Sequence, residues 1–214
     1  MVTAGSQVII LEHGDPFLVY SIKHKNACYL SKNAFVEPGY IHPSDLANTM
    51  RWETLVNRWL PLFPDTLTTE LVLSVIYKET GGNPHATDQT GNDVRLVGYA
   101  SVGLMGAIAR PNLPCYDTLT APSGKDAYSC QIYLGMWILD WSIRRAHFLR
   151  ETASEYPISA DITLADVSLG LQLYGCTEEN VLADNCLAWG GSAYSDKVLH
   201  VIMPEILKAL ALSP

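Results

Sequence analysis

An apolar stripe that ends on a carboxylate and is then cut off by a turn constrains this chain more than any other feature. Val72, Val75 and Ile76 fall at helical spacing on one face, and the next residue on that face is Glu79. Thr80-Gly81-Gly82-Asn83-Pro84 follows at once, a run rich in turn formers that ends the helix. The spacing therefore predicts a helix whose last turn carries a carboxylate on its packed face. Desolvation and the negative end of the helix dipole both favour the protonated form there, which is how a glutamate becomes a general acid near neutral pH.

The rest of the composition narrows what surrounds that helix. With 214 residues, 48% hydrophobic and 17% charged, the chain is long enough and apolar enough to bury a real core, and disorder is excluded. No apolar run reaches the ~18 residues of a membrane span, and no basic segment followed by an apolar one opens the chain as a secretory signal would. Export, on this reading, uses another route or the sequence is the mature form. A net charge of −8 argues against a nucleic-acid partner, which would want clustered Lys and Arg. Arg144-Arg145 and Lys23-His24-Lys25 are the locally basic stretches, and both read as solvated surface. The six histidines show no HExxH spacing and the five cysteines no CxxC pair, so neither a metal nor any other cofactor is expected. Cys115 with Cys130, and Cys176 with Cys186, are each separated by loop-like sequence; local disulfides in an oxidising compartment and buried free thiols both fit.

The chain changes character near residue 43. Short β-favouring runs at Gln7 to Leu11, Phe17 to Ile22 and Ala27 to Leu30, broken by His13-Gly14-Asp15-Pro16 and Lys23-His24-Lys25-Asn26, predict a small meander over residues 1–43. Three short strands make a poor independent domain, so this arm is expected to pack on the main body or on a structural partner protein. Residues 44–214 read as helical. Trp52, Leu55, Val56 and Trp59 form a stripe ended by Pro61 and Pro64, and the helix reaching Glu79 is expected to start near Asp65 or Thr66. Asp88 to Ala100 suits a loop or small β-hairpin. A helix over Ala127 to Arg150 turns Ile132, Met136, Leu139, Ile143 and Ala146 inward. Another spans Thr163 to Tyr174 with a cap from Thr163 to Asp166, and a last helical stretch from Ser195 to Ala211 is bent at Pro204. The fold class is α+β, predominantly α.

Glu79-Thr80-Gly81-Gly82-Asn83-Pro84-His85-Ala86, followed by Ser101-Val102-Gly103-Leu104-Met105, resembles the two hallmark motifs of the lysozyme-like lytic transglycosylases, a superfamily that includes the goose-type lysozymes. The family pattern runs Glu-Ser-x-x-Asn-Pro-x-Ala, a loop, then Gly-Leu-Met-Gln. Gln131-Ile132 with Gly135 and Leu139 is similar to the family's Asn-Ile-x-x-Gly helix, and Leu171-Gln172-Leu173-Tyr174-Gly175 to its Ala-Ala-Tyr-Asn segment. The resemblance covers about Thr66 to Val198. Thr80 stands where the family has Ser, Gly106 where it has Gln, and Gly175 where it has Asn. What the resemblance implies is a lysozyme-like helical domain with a small β-hairpin beside the active-site cleft, acting on the glycan strands of peptidoglycan.

The chemistry follows from the residues. Breaking a glycosidic bond requires a proton delivered to the departing oxygen, and a protonated Glu79 can supply it. Hydrolysis through a second carboxylate would draw on Asp88 or Asp93, the acids of the following loop, although a solvated surface role suits both better. Without them the family route is implied: the substrate's own N-acetyl group assists and the muramic acid C6 hydroxyl attacks, giving a 1,6-anhydro product. Thr80, Ser101, Gly103, Met105, Tyr174 and Tyr99 are the expected substrate-binding positions. Most also have a structural role available: Tyr174, which the resemblance implies holds the carboxylate or an N-acetyl group, or is simply packed; Met105 lining the groove or the core; Ser101 bonding the carboxylate or shaping the hairpin; and Gly103 letting the backbone approach the sugar. Tyr99 and Trp189 read as packing residues first and as stacking platforms second, while Asn83 and Pro84 fix the turn. A hydrolytic muramidase of goose-lysozyme type is one alternative, and a catalytically inactive wall-binding or assembly module, motivated by Gly106, is another. The expected setting is extracellular, periplasmic or virion-associated, as for an endolysin or a phage-tail component.

Overall fold

A computed structural model of the chain describes residues 7–10, 16–19, 41–84, 101–120, 127–153, 160–176, 181 and 191–212. The chain divides into two compact units, Met1–His42 and Pro43–Pro214. In the first, β1 (Gln7–Ile10) pairs antiparallel with β2 (Pro16–Val19), setting Gln7 opposite Val19 and Ile10 opposite Pro16. The third run expected at Ala27 to Leu30 lies outside the described residues.

The described residues of the second unit are predominantly helical. In order come α1 (Pro43–Met50), α2 (Glu53–Trp59) with a 3₁₀ turn at Leu60–Leu62, and α3 (Thr69–Thr80). A short segment follows in which β3 (Ser101–Val102) and β4 (Ala107–Ile108) pair antiparallel around a 3₁₀ turn at Gly103–Met105. Then come α4 (Tyr116–Thr120), α5 (Tyr128–Ala153), α6 (Leu164–Gly175), α7 (Gly191–Asp196), a π-helical segment (Lys197–Ile202) and α8 (Met203–Leu212). The span Asp88 to Ala100, read as a loop or hairpin, is outside the described residues. No described helix is long and apolar enough to cross a membrane.

Helix α5 organises the core. Ile132, Met136, Leu139, Ile143 and Ala146, the stripe read from sequence, are all fully buried, and α5 lies along α6 and against the 103–105 turn. Gly170 of α6 lets the two helices approach until a Cβ there would lie 2.7 Å from the Ile143 Cα. Helix α2 is tied to α5 through aromatics. Trp59 packs on Tyr133 at 4.7 Å between ring centroids and donates its indole N–H to Ser129 Oγ at 3.1 Å. Ala107, Ala109, Leu119 and Leu134 form a small apolar cluster, and the Cys115–Cys130 disulfide clips this segment to the first turn of α5. Cys176 is also disulfide-bonded.

Two boundaries differ from the sequence reading for physical reasons. Helix α3 begins at Thr69, not at Asp65 or Thr66. Thr68 is in extended conformation and its Oγ1 accepts from Leu71 N–H, while Thr66 belongs to a turn of the preceding segment and donates its hydroxyl to Asp140. The last helix is not simply kinked. Proline 204 cannot donate to the carbonyl four residues back and crowds it, and the turn just before it widens to π geometry, with Met203 N–H reaching Val198 O. By contrast, Thr163 caps α6 as expected, within a complete capping box whose other half is Asp166.

Candidate active site

Helix α3 delivers Glu79 and a packed turn fixes where it ends. Gly81 adopts φ 60°, the left-handed conformation that closes a helix, and its N–H bonds Tyr77 O at 2.9 Å. The next residue is held from outside the helix. Gly82 O accepts the Trp52 indole N–H at 2.9 Å, and a Cβ on Gly82 would strike the backbone of Asn48 and Thr49. The end of α3 therefore cannot shift without moving α1.

Val72, Val75 and Ile76 are completely buried, but Glu79 is not: the residue is open to solvent. The stripe of Val72, Val75 and Ile76 therefore does not extend its full burial to Glu79, although Tyr77, Gly81 and Gly82 around it are buried. Even so, burial by surrounding protein is the leading influence on the carboxyl and raises its pKa. The hydrogen bond from Tyr194 and the charge of Lys78 oppose that rise without cancelling it. Part of the residue is thus open to solvent while the protein around its carboxyl disfavours the charged form.

Two contacts orient the carboxylate. Tyr194 donates its hydroxyl to Oε1 at 2.6 Å. On the other side stands Gly106, where a Cβ would lie 2.6 Å from Oε2. Gly106 also has φ 59°, so both its conformation and its proximity to Glu79 demand the absence of a side chain. Any side chain at this position would meet the end of Glu79. Tyr194 is buried, and desolvation with the neighbouring Glu79 charge pushes its pKa well above 10, so it remains an O–H donor.

The turn 103–106 that presents Gly106 is itself pinned by three side chains. Thr80 Oγ1 lies 2.9 Å from Leu104 O and also bonds Ile76 O, Gln131 Oε1 accepts from Leu104 N–H at 3.2 Å, and Tyr174 donates to Met105 O at 2.6 Å. These bonds revise several expected roles. Tyr174 fixes the carbonyl preceding Gly106, and the hydrogen bond to the carboxylate comes from Tyr194. Met105 is fully buried and packs so closely on Gly135 that a Cβ there would lie 2.5 Å from its sulfur, so it is core and not groove wall. Gly103 makes its close approach to the Gln131 amide, not to an open face. Thr80 spends its hydroxyl on backbone. Ser101 pairs through its backbone with Ile108. Tyr99, Asp88, Asp93, Trp189 and Cys186 lie outside the described residues.

Tyr194 was not among the expected site residues. The available signal was its register with Val198 and Ile202, which places it on the packed side of the last helical stretch, just after the turn-rich Gly190-Gly191-Ser192. A packed tyrosine is ordinarily core, and nothing local marks the one that meets Glu79. Comparison with known protein families and with functionally characterised proteins finds no match for the chain.

Proposed function

We propose that this chain cleaves the MurNAc–GlcNAc β-1,4 bond of peptidoglycan with Glu79 as its single general acid and base. The observation that carries the reading is the setting of Glu79: a carboxyl with a raised pKa, open to solvent, steadied by Tyr194 on one oxygen and seated against Gly106 at the other. The charge acting on this carboxyl is that of Lys78. A mechanism with one carboxylate is the one that the motif resemblance implies.

In the first step protonated Glu79 gives its proton to the departing GlcNAc oxygen as the C–O bond breaks, and the N-acetyl oxygen of the muramic residue closes on the anomeric carbon. In the second, the Glu79 carboxylate accepts the proton of the C6 hydroxyl, whose oxygen displaces the N-acetyl group to give the 1,6-anhydro sugar. Tyr194 suits both halves, since an O–H donor tolerates the neutral acid and stabilises the carboxylate. The lysozyme-like fold, with β3 and β4 as the hairpin beside Glu79, forms part of this proposal. So does an extracellular, periplasmic or virion-associated setting, which the disulfides at Cys115–Cys130 and Cys176 support.

Digestion of purified peptidoglycan by wild type and Glu79→Gln, with released muropeptides read by mass spectrometry, tests the reading. Anhydro-muropeptides from wild type alone are expected. Reducing-end products would move the chemistry to hydrolysis, and no release from several wall types by folded protein would leave the binding or assembly module.

A further inference from the structure

The outer face of α5 is as ordered in sequence as its inner one. Trp137, Trp141, Phe148 and Thr152 recur at helical spacing on one stripe, opposite the buried run of Ile132, Met136, Leu139, Ile143 and Ala146. Trp141 is 50% exposed and Phe148 49%, although side chains of this size are ordinarily packed. Two more exposed leucines flank the stripe. Leu62 belongs to the segment whose Asp65 and Thr66 reach Arg144 and Asp140, and Leu164 follows Thr163, whose hydroxyl accepts from Arg150. An apolar stripe about 22 Å long is seldom left facing water.

Charge narrows what can cover it. Arg144 pairs with Asp140 at 3.0 Å and with Asp65 at 3.7 Å, Arg145 lies over the Phe148 ring at 5.1 Å, and exposed Glu151 stands at the edge. The patch is therefore within one charge of neutral in a chain of net charge −8. An anionic bilayer or a nucleic acid would want a basic face and would repel the rest of the chain. Two copies of an acidic protein, by contrast, meet with least repulsion across their neutral faces.

The spacing is also self-complementary. In two antiparallel α5 helices related by a two-fold axis between residues 144 and 145, each position meets the one equally far on the other side of the axis. Trp141 then faces Phe148 of the second copy, and Trp137 faces Thr152 of the second copy, each contact occurring twice. Arg144 and Arg145 reach the axis already engaged, one by carboxylates and one by a ring. We propose that this stripe is the interface of a homodimer built on antiparallel α5 helices, with the two Trp141–Phe148 contacts as its anchors. Gln131 and Gly135, which hold the 103–106 turn, lie on another side of α5, so the pairing does not use the face that supports the Glu79 seat, and it stands independently of the glycan-cleaving reading.

Sedimentation equilibrium on the full chain, from micromolar to millimolar concentration, tests the interface. A reversible dimer is expected. Trp141→Ser or Phe148→Ser should raise its Kd about 30-fold or more, the cost of losing an aromatic anchor, with little change in Tm, while Leu212→Ser, on exposed surface elsewhere, should leave it unchanged. Under mild oxidation, Trp141→Cys chains mixed with Phe148→Cys chains should form covalent dimers well above the wild-type background. Either variant alone should not, since like positions lie about 10 Å apart along the helices. A monomer at every concentration, a dimer that both serine variants leave intact, or cross-linking of Trp141→Cys chains to one another overturns the proposal.

Discussion

The Tyr194 hydroxyl and the Glu79 carboxylate meet at 2.6 Å although 115 residues separate them in sequence, and this bond opposes the rise that burial imposes on the pKa of the candidate acid. A donor on a carboxylate favours its ionised form. Removing it with Tyr194→Phe raises the Glu79 pKa further, so the alkaline limb of the kcat/KM profile, where the acid loses its proton, should move to higher pH. The maximal rate should fall about 10-fold to 100-fold, as for loss of one hydrogen bond to a charged group. A pH–rate series on both proteins checks this, and a limb that stays in place or moves down would remove Tyr194 from the site.

Gly106→Ala separates positioning from folding. The added methyl meets the flexible end of Glu79 and not backbone, so the carboxylate gives way and its contact with Tyr194 is lost. The left-handed φ costs about 1–2 kcal/mol for a residue with a Cβ. We expect a folded protein with a modestly lowered Tm and activity reduced well beyond that loss. Thermal melts beside rate measurements decide it; full activity in the variant would show that Glu79 does not need this seat.

Asp166 predicts the acid limb of stability. Burial alone would raise its pKa, but hydrogen bonds from the Thr163 hydroxyl and N–H, both 2.7 Å from Oδ2, and from Arg150, with His147 adjacent, outweigh it and bring the pKa from 3.8 to about 2. The carboxylate is sealed from water, but only thinly, by Arg150 near the surface. A depressed carboxylate stabilises the fold above its unfolded pKa, and that stability drains as pH falls from about 4 to about 2. At 1.36 kcal/mol per unit the contribution is about 2 kcal/mol. Urea midpoints of wild type and Asp166→Asn should differ at pH 7 and converge in that acid window.

The Cys115–Cys130 bridge closes 15 residues and ties the segment after β4 to α5. Its removal by Cys115→Ser with Cys130→Ser should lower stability by about 3 kcal/mol on the loop-entropy argument. Because α5 also carries Gln131, which bonds the 103–106 turn, activity should fall at temperatures where the wild type is unaffected. Equal melting of oxidised wild type and double variant would contradict this.

Local chemistry was legible in the sequence. The apolar stripe and glycine turn placed Glu79 at a helix end, the five inward positions of α5 followed the 3.6 period, and Thr163 with Asp166 announced a cap, because each depends on residues within a few positions of one another. Which tyrosine holds Glu79 was settled only by the packing of α3 against the last helical stretch, which aligns Tyr194 with the carboxylate and leaves Tyr174 on a carbonyl. The same packing decided that Met105 is core and that Gly106 is a seat rather than a missing side chain. Periodicity reports which side of an element is apolar; it carries no information on which partner will face it across a hundred residues.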